Sequence, residues 1–272
     1  MSPLEMSIDK FCVNKFGARC NVALMLSHEP GRAIADFFAD RSLGNVVAVY
    51  FEEEGDYAAE LAEKLGISRD RAFHGKEVLS NLKHIEWLKE QNVDFLITVY
   101  WPWLLDKAYL CAADDSINFH PALLPVNRGW YPHVHSIVDE SPAGVTLHKI
   151  TEGADEGDIW VQKKLEIPLH ETAKSIYLKL QDEIVSLFKQ NWRDISSGKI
   201  VAFAQDHDKS SYHAKKELAK LDKVDFDELS ARGLFNLLRA RSFGEKGFAY
   251  FEAEGLKYFL NLKITPESPK SG

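Results

Sequence analysis

The sequence predicts an α/β protein: a Rossmann-like, mostly parallel, twisted sheet with a small C-terminal α+β tail containing a helix and a β-hairpin. The first observation is that strand-type and helix-type segments alternate over residues 21–200, a pattern typical of right-handed crossovers within one sheet. The second is a change of pattern after residue 200, where a polar stretch precedes one amphipathic helix and one hairpin.

The predicted strands are short apolar or alternating segments. Residues 45–51 read N-V-V-A-V-Y-F, the β-branched run of a strand buried on both faces. Residues 143–150 and 158–167 instead alternate between apolar and polar side chains. The full set of predicted strands is 21–26, 45–51, 93–100, 116–120, 143–150 and 158–167, with a further edge strand at 10–13.

The predicted helices carry apolar residues on one side and end at recognisable signals. Ile34, Phe37 and Phe38 share one side of the first helix, and Gly66 follows the second as a C-terminal cap. The helices are predicted at 32–40, 57–65, 79–91 and 173–190.

The run Ser196-Ser197-Gly198-Lys199 predicts a turn and a domain boundary, which gives a first domain of 1–200 and a small second domain of 201–272. In the second domain a polar stretch over 211–223 precedes a helix at 226–241. A hairpin over 248–264 then turns at Glu254-Gly255.

Composition indicates a globular protein and argues against several classes of partner. The chain has 272 residues, of which 45% are hydrophobic and 27% charged, with a net charge of −8. This acidic balance predicts no nucleic-acid partner. No apolar run approaches the length of a transmembrane helix, which predicts no membrane partner. The N-terminus lacks a signal-type apolar segment, and Cys12, Cys20 and Cys111 have no metal-ligand spacing, so we expect reduced thiols in a cytoplasmic protein.

The chemistry-bearing residues cluster after the strand at 116–120. Asn118 and His120 are two positions apart, so both side chains point to one face of that strand. Pro121 ends the ladder, and Asp155 lies in a Gly- and acid-rich loop. Such an amide can donate to an oxyanion, a neutral His can accept a proton near pH 7, and a carboxylate can set the tautomer of that His. The set suits acyl transfer to an amine; taken alone, N-x-H-P also fits a turn cap and a satisfied loop histidine.

Two runs carry a family resemblance. One, from Ile117, reads I-N-F-H-P-A-L-L-P-V-N-R-G-W-Y-P-H, and the other, from Pro142, reads P-A-G-V-T-L-H-K-I-T-E-G-A-D-E-G-D-I-W. They resemble the folate-dependent formyltransferases, whose signature is N-x-H-P-S-L-L-P-x-x-R-G followed by T-G-V-T-x-H and D-x-G-x-I. The resemblance is close over 116–162 and extends over 21–200 in element order. Ala122 replaces the usual Ser, and Pro142-Ala143 replaces the more common small-Thr pair.

The resemblance implies the formyltransferase fold, a catalytic triad of Asn118, His120 and Asp155, and 10-formyltetrahydrofolate as the formyl donor. The tail, with S-Y-H-A-K-K-E-L and L-L-R-A-R-S-F, looks like that of the sugar N-formyltransferases. It implies a nucleotide-linked 4-amino-4,6-dideoxy sugar of O-antigen or related glycans as acceptor. dTDP-4-amino-4,6-dideoxyglucose is the first choice, followed by GDP-perosamine and the 3-amino isomer. A homodimer formed through the tail, with Tyr258 and Phe259, is also implied.

Binding residues are proposed on the same basis. We expect the folate to be lined by the strand end at 100, the segment after His120 and the Asp155 loop, which supply Tyr100, Trp101, Leu123, Gly153, Ala154 and Asp158. Candidates for binding the nucleotide sugar are Lys76, Arg128, Arg239 and Arg241 at the pyrophosphate, and Trp130, Tyr131 and Tyr250 as stacking surfaces. Solvated helix charges and core packing are the ordinary alternatives. His133 and His135 form no convincing metal set with a carboxylate, so no metal is predicted, and His148 needs no role.

Three other functions stay open. A methionyl-tRNA formyltransferase would bind tRNA in a salt-sensitive way, yet residues 201–272 carry 12 Lys and Arg against 11 Asp and Glu. A formyltetrahydrofolate hydrolase would release formate without an acceptor. A folate- or nucleotide-binding module with a vestigial triad would catalyse nothing, although the triad is intact in this sequence.

Overall fold

The computed structural model describes residues 20–267, which form thirteen strands and seven α-helices. The strands are β1 Asn21–Leu26, β2 Asn45–Phe51, β3 Ala72–His74, β4 Val93–Val99, β5 Ala113–His120, β6 Arg128–Gly129, β7 Ala143–His148, β8 Ile159–Leu165, β9 Tyr212–His213, β10 Ser242–Phe243, β11 Lys246–Gly247, β12 Ala249–Ala253 and β13 Leu256–Leu260. The helices are α1 His28–Ala39, α2 Asp56–Lys64, α3 Leu82–Glu90, α4 Lys107–Leu110, α5 Pro132–Val138, α6 Ala173–Ser196 and α7 Ala231–Ala240.

A seven-stranded sheet in the order β3-β2-β1-β4-β5-β7-β8 organises the first part of the chain. The strands from β3 to β5 are parallel, whereas β7 and β8 are antiparallel. Helices α1, α2 and α6 pack on one face, and α3 and α4 on the other. This arrangement confirms the predicted α/β fold with a mostly parallel sheet.

Several predicted elements begin or end elsewhere. Helix α1 begins four residues before the predicted position, because Pro30 is tolerated in a first turn that needs no amide hydrogen bonds. The single helix predicted at 79–91 is wrong: a 3₁₀ turn over Glu77–Ser80 is followed by α3, whose N-cap Asn81 accepts from the amides of Lys83 and His84. Helix α6 continues six residues beyond 190, to Ser196.

The C-terminal hairpin is confirmed. Strands β12 and β13 pair antiparallel, and Glu254 and Gly255 have φ of 51° and 75°. Positive φ at both central residues is the conformation of a type I′ turn, whose twist matches that of the strands. The tail helix is shorter than predicted and begins after Ser230, which caps the amide of Gly233. The edge strand predicted at 10–13 lies outside the described residues.

The segment 201–213 lies against the first part of the chain rather than within the tail. Phe203 exchanges two backbone hydrogen bonds with Ile159 at the start of β8, with N···O distances of 2.8 and 3.0 Å. Farther along, β9 pairs in parallel with β6, which follows the Asn118–His120 region. The segment therefore lies beside the carboxyl end of β5. The proposed boundary at residue 200 stays a prediction.

Two further sequence predictions concern the environment of the chain. Within residues 20–267, no helix combines the length and the apolar character needed to cross a membrane. Cys20 and Cys111 are free thiols, and Cys12 lies outside the described part of the chain.

The contact between α6 and the sheet depends on Trp192. Its ring is fully buried and packs edge-on against Phe38 and Phe95, with centroid distances of 5.3 Å to each. Its Nε1–H donates to the carbonyl oxygen of Leu43 at 2.7 Å, so the polar atom is satisfied as well. This residue joins α6, α1 and the central strand β4.

We expect Trp192→Ala to lower the free energy of unfolding by about 3–5 kcal/mol, because it leaves a cavity and an unpaired carbonyl. Urea denaturation followed by circular dichroism measures this. Leu178→Ala, on the same helix but 48% exposed, is the control and should cost less than about 1 kcal/mol. Equal losses in the two variants would contradict the role of Trp192.

Candidate active site

The predicted triad converges at the carboxyl end of β5. The Nδ2 of Asn118 lies 3.2 Å from Oδ1 of Asp155, and the Nδ1 of His120 lies 3.5 Å from the same oxygen. Asn118 and His120 share a face of the strand, as their spacing predicts. Asp155 comes from the loop between β7 and β8, which begins directly after His148, the residue that pairs with Asn118.

Hydrogen bonds fix the orientation of the Asn118 amide. Thr98 Oγ1 donates to its Oδ1 at 2.7 Å, and its two Nδ2 hydrogens are directed at Asp155 and at His148 Nε2, the latter at 3.0 Å. Since the carboxylate can only accept, the nitrogen must face it. An oxyanion would accept one of these hydrogens in place of its present acceptor.

Sequence reasoning missed the part played by His148. It lies opposite Asn118 in the antiparallel register of β5 and β7. Its Nδ1–H donates to the carbonyl oxygen of Lys149 at 2.7 Å, which leaves Nε2 to accept from Asn118. The signal was the cross-strand register, which a sequence without known strand pairing does not reveal.

A backbone carbonyl, rather than Asp155, sets the tautomer of His120. Its Nε2 lies 3.0 Å from the carbonyl oxygen of Asn127, which can only accept, so Nε2 carries the hydrogen. The Nδ1 atom, facing Asp155, therefore carries the lone pair of the neutral ring. The expectation that the carboxylate sets the tautomer is wrong, and Asp155 is instead placed to stabilise the charged ring.

The electrostatics suit a neutral base beside an ionised carboxylate. Burial lowers the pKa of His120 below its ordinary value, although the charge of Asp155 acts in the opposite direction. Burial alone would raise the pKa of Asp155, but attraction to His120, the interaction with His148 and the hydrogen bond from the Gly129 amide together outweigh it and lower the pKa. Near pH 7 the pair is thus a neutral imidazole and a carboxylate.

Gly129 of the R-G motif is required by its conformation and by a close approach. Its φ is +87°, and a Cβ atom there would lie 2.5 Å from the carbonyl oxygen of His213 in β9. Its amide donates to Oδ2 of Asp155 at 2.9 Å. A glycine at this position lets β6 lie close to β9 and to the Asp155 loop together.

The predicted folate residues lie in three segments of the chain. Tyr100, directly after β4, has a buried hydroxyl, and Trp101 a buried Nε1; neither atom has a hydrogen-bond partner among residues 20–267. Gly153, Ala154 and Asp158 flank Asp155 in its loop. Leu123 follows the strand end, and its side chain lies beside Gly144. The unpaired polar atoms of Tyr100 and Trp101 fit a polar heterocycle.

The predicted phosphate-binding arginines have partners within the protein. Arg128 donates to Gln205 and contacts His207 Nδ1 at 3.0 Å. Arg239 donates to Asn236 and to the carbonyl oxygens of Pro168 and Glu171, and Arg241 pairs with Asp222. All three are buried. The fold therefore gives them internal contacts and does not direct them as a group toward the triad.

The other predicted substrate residues are more accessible. Lys76 is exposed, and Trp130 is 37% exposed with Lys215 Nζ 4.6 Å above its ring. Tyr131 packs against Trp130, at a centroid distance of 5.9 Å. Tyr250 belongs to β12 and lies beneath Lys257. Trp130 and Tyr131 follow Gly129 directly, so they are the members of this set that the chain places beside the triad.

One group of side chains in the described part of the chain has the spacing of metal ligands: His135, Asp139 and His213. The two imidazole rings stack with centroids 3.5 Å apart and planes within 8° of parallel. Because a nitrogen lone pair lies in the plane of its ring, two parallel rings cannot both direct one at the same ion. The arrangement is thus a stacked pair and not a preformed metal centre, and the absence of a metal stays a prediction.

Comparison with known proteins identifies the family. The Formyl transferase model matches residues 22–191, and the N-formyltransferase dimerization C-terminal domain model matches residues 217–266. The first match spans more than half of the chain, so the chain belongs to the formyl transferase family, as the motifs predict.

Three individual relatives share between 18% and 33% of their aligned residues with this chain. The chain is 33% identical over 155 residues to a dTDP-4-amino-4,6-dideoxyglucose formyltransferase of Mycobacterium tuberculosis, a match that covers 56% of this chain and 66% of that protein. A sugar N-formyltransferase structure from a Shewanella species has a TM-score of 0.76 at 23% identity, covering 92% and 99% of the two chains. An N-formyltransferase of Helicobacter canadensis, in complex with folinic acid and dTDP-3-aminofucose, has a TM-score of 0.66 at 18% identity, covering 87% and 85%. Both structures share the fold of this chain.

We expect His120→Asn and Asn118→Ala each to lower kcat by roughly a hundredfold, through loss of the proton acceptor and of an oxyanion donor respectively. Steady-state formyl transfer measures this, with circular dichroism to confirm folding. His170→Asn, at an exposed histidine, is the control. A folded His120→Asn variant with nearly normal kcat would remove His120 from the mechanism.

We expect Asp155→Asn to lower kcat and to move the acidic limb of its pH profile to lower pH. The negative charge of Asp155 raises the pKa of His120, so its removal lowers that pKa and keeps the ring neutral further into acid. The measurement is kcat against pH, with Glu152→Gln in the same loop as control. An acidic limb that stays in place or moves to higher pH would contradict the contact.

Proposed function

We propose that this protein transfers the formyl group of 10-formyltetrahydrofolate to the amino group of a nucleotide-linked 4-amino-4,6-dideoxy sugar, dTDP-4-amino-4,6-dideoxyglucose first. The observation that carries the proposal is the convergence of Asn118, His120 and Asp155 in a formyl transferase chain. The Mycobacterium tuberculosis relative is described as acting on that sugar nucleotide. The Helicobacter canadensis structure holds folinic acid together with a dTDP-linked amino sugar.

The side chains divide the chemistry between them. The folate supplies an activated formyl group when bound, so the protein needs no nucleophile of its own. Asn118 donates through Nδ2 to the negative charge that develops on the formyl oxygen. His120 accepts the proton of the attacking amine at Nδ1, because Nε2 is already protonated and engaged with Asn127. Asp155 stabilises the imidazolium that results, and the ring returns the proton to the folate nitrogen as its bond to the formyl carbon breaks.

The binding surfaces are proposed from unpaired polar atoms, from position along the chain and from exposure. Tyr100 and Trp101 offer unpaired hydrogen-bonding atoms beside the strand end, where a pterin needs donors and acceptors. Trp130 and Tyr131 follow the Gly129 contact to Asp155, so we place the nucleotide sugar on their side of the triad. For the pyrophosphate, Lys76 is the exposed cation of the predicted set, whereas the three arginines have internal partners.

A homodimer is proposed on the tail. The matched C-terminal model is described as a dimerization domain. The hairpin carries exposed aromatic side chains, among them Tyr258 at 40% and Phe259 at 64% exposure. Tyr258 stacks on Phe251 of β12 with their planes 13° apart, so these two aromatic rings share one face of the hairpin.

The test is to incubate the protein with 10-formyltetrahydrofolate and a panel of acceptors: dTDP-linked 4-amino and 3-amino sugars, GDP-perosamine and initiator methionyl-tRNA. We expect the mass of a dTDP-linked 4-amino sugar to increase by one formyl group, and the Asn118→Ala variant to lose this activity. Transfer to methionyl-tRNA alone would identify a tRNA formyltransferase. Formate release without any acceptor would identify a hydrolase, and no turnover with any acceptor would leave a binding module.

A further inference from the structure

A buried glutamine from the segment between the two family matches contacts the catalytic loop. Gln205 is 6% exposed, and its Nε2 donates to the carbonyl oxygen of Asp155 at 2.9 Å and to that of Gly157 at 2.6 Å. Residue 205 lies beyond the Formyl transferase match, which ends at 191, and before the C-terminal match, which begins at 217. The loop is thus held from a part of the chain that neither family description includes.

The other end of the same amide is anchored by a buried guanidinium. Gln205 Oε1 accepts from Arg128 Nε at 3.2 Å and from Arg128 Nη2 at 2.7 Å. An amide has two N–H donors and two acceptor lone pairs, and here all four are used. The reverse orientation would place the amide nitrogen against the guanidinium and the oxygen against two carbonyl oxygens, so the observed orientation is the one that these partners allow.

These contacts close a ring of hydrogen bonds around Asp155. Arg128 precedes Gly129, whose amide donates to the Asp155 carboxylate, while Gln205 links Arg128 to the Asp155 carbonyl. The amide of Arg128 donates to the carbonyl oxygen of Ser211 at 2.9 Å, within the pairing of β6 and β9. The backbone of Asp155 is therefore held by Gln205 and its side chain by Gly129 of β6. These two parts of the chain are in turn linked through Arg128.

Asp155 needs such support because its backbone is strained. Its φ is +56°, in the left-handed region, which for a non-glycine residue costs on the order of 1–3 kcal/mol. The residues around it belong to neither a helix nor a strand. Its Oδ1 must nevertheless stay within reach of Asn118 and His120, and a displacement of about 1 Å can lower a rate by roughly a hundredfold.

We propose that Gln205 is a positioning residue for the reaction, and that Arg128 anchors it rather than binding phosphate. The segment between the two family domains then completes the active site by holding the Asp155 loop in its strained conformation. This inference rests on the proposed function for its kinetic consequences, but the contact itself does not.

The kinetic test uses Gln205→Ala, with Gln181→Ala as matched control, because Gln181 is similarly buried at 8% but lies on α6. We expect Gln205→Ala to lower kcat by about tenfold to a hundredfold, with a smaller change in KM for the sugar nucleotide. In an Asp155→Asn background the same change should lower kcat no further, because Gln205 acts through Asp155. A kcat within about twofold of wild type, or losses that multiply in the double variant, would overturn the proposal.

Gln205→Glu tests the bonds to the loop separately from the bonds to Arg128. A glutamate keeps an acceptor for Arg128 but has no hydrogens to donate to the Asp155 and Gly157 carbonyls. We expect its kcat to fall as far as that of Gln205→Ala. Wild-type kcat in this variant would show that the bonds to the loop are unnecessary, and would refute the positioning role.

A measurement without turnover distinguishes failure of this inference from failure of the proposed function. Hydrogen exchange of the peptide that spans 151–158 should become faster in Gln205→Ala and stay unchanged in Gln181→Ala. If wild type transfers formyl groups to no acceptor while exchange behaves as expected, the proposed function fails and the contact stands. If exchange is unchanged by Gln205→Ala, the contact does not hold the loop and the inference fails.

Discussion

The Asp155 carboxylate is the interaction on which the candidate active site depends. It lies within 3.5 Å of Asn118 Nδ2, His120 Nδ1 and His148 Nε2, and it accepts from the Gly129 amide. A carboxylate with 15% of its side chain exposed requires hydrogen-bond donors such as the Asn118 and Gly129 amides, since an uncompensated buried charge is costly. These contacts come from β5, β7 and Gly129 at the end of β6, so the carboxylate links these three elements.

The topology of the sheet makes this convergence possible. A parallel sheet alone would place Asn118 and His120 at its carboxyl edge, with the next strand beginning at the opposite edge. Strand β7 instead runs antiparallel to β5 and ends at His148, opposite Asn118, so the loop between β7 and β8 begins beside the candidate catalytic residues. The segment 201–213 lies next to this loop, because Phe203 pairs with Ile159 at the end of the loop and β9 pairs with β6.

The sequence predicted most of the long elements and the residues that converge at the candidate site, and the reasons are local. Strands such as β2, with an uninterrupted apolar run, and helices with one apolar side carry their own periodic signal. The triad depended on a two-residue spacing and on motifs that preserve both residue type and separation. The prediction failed where a short polar signal competes with periodicity: Asn81 caps α3 and interrupts the helix expected at 79–91. Strands β6 and β9, of two residues each, exist only because they pair with each other.

The sequence by itself determined the α/β class and the membership of the formyl transferase family, and it selected the candidate triad, because strand and helix periods and motif spacings are properties of contiguous chain. Only the tertiary structure decided how those residues are used. In the folded chain the Asn127 carbonyl sets the tautomer of His120, and His148 lies opposite Asn118. Arg128 has a buried glutamine, Gln205, as its partner. These are contacts between residues up to 77 positions apart, and they follow from strand register and burial, which no local pattern in the sequence encodes.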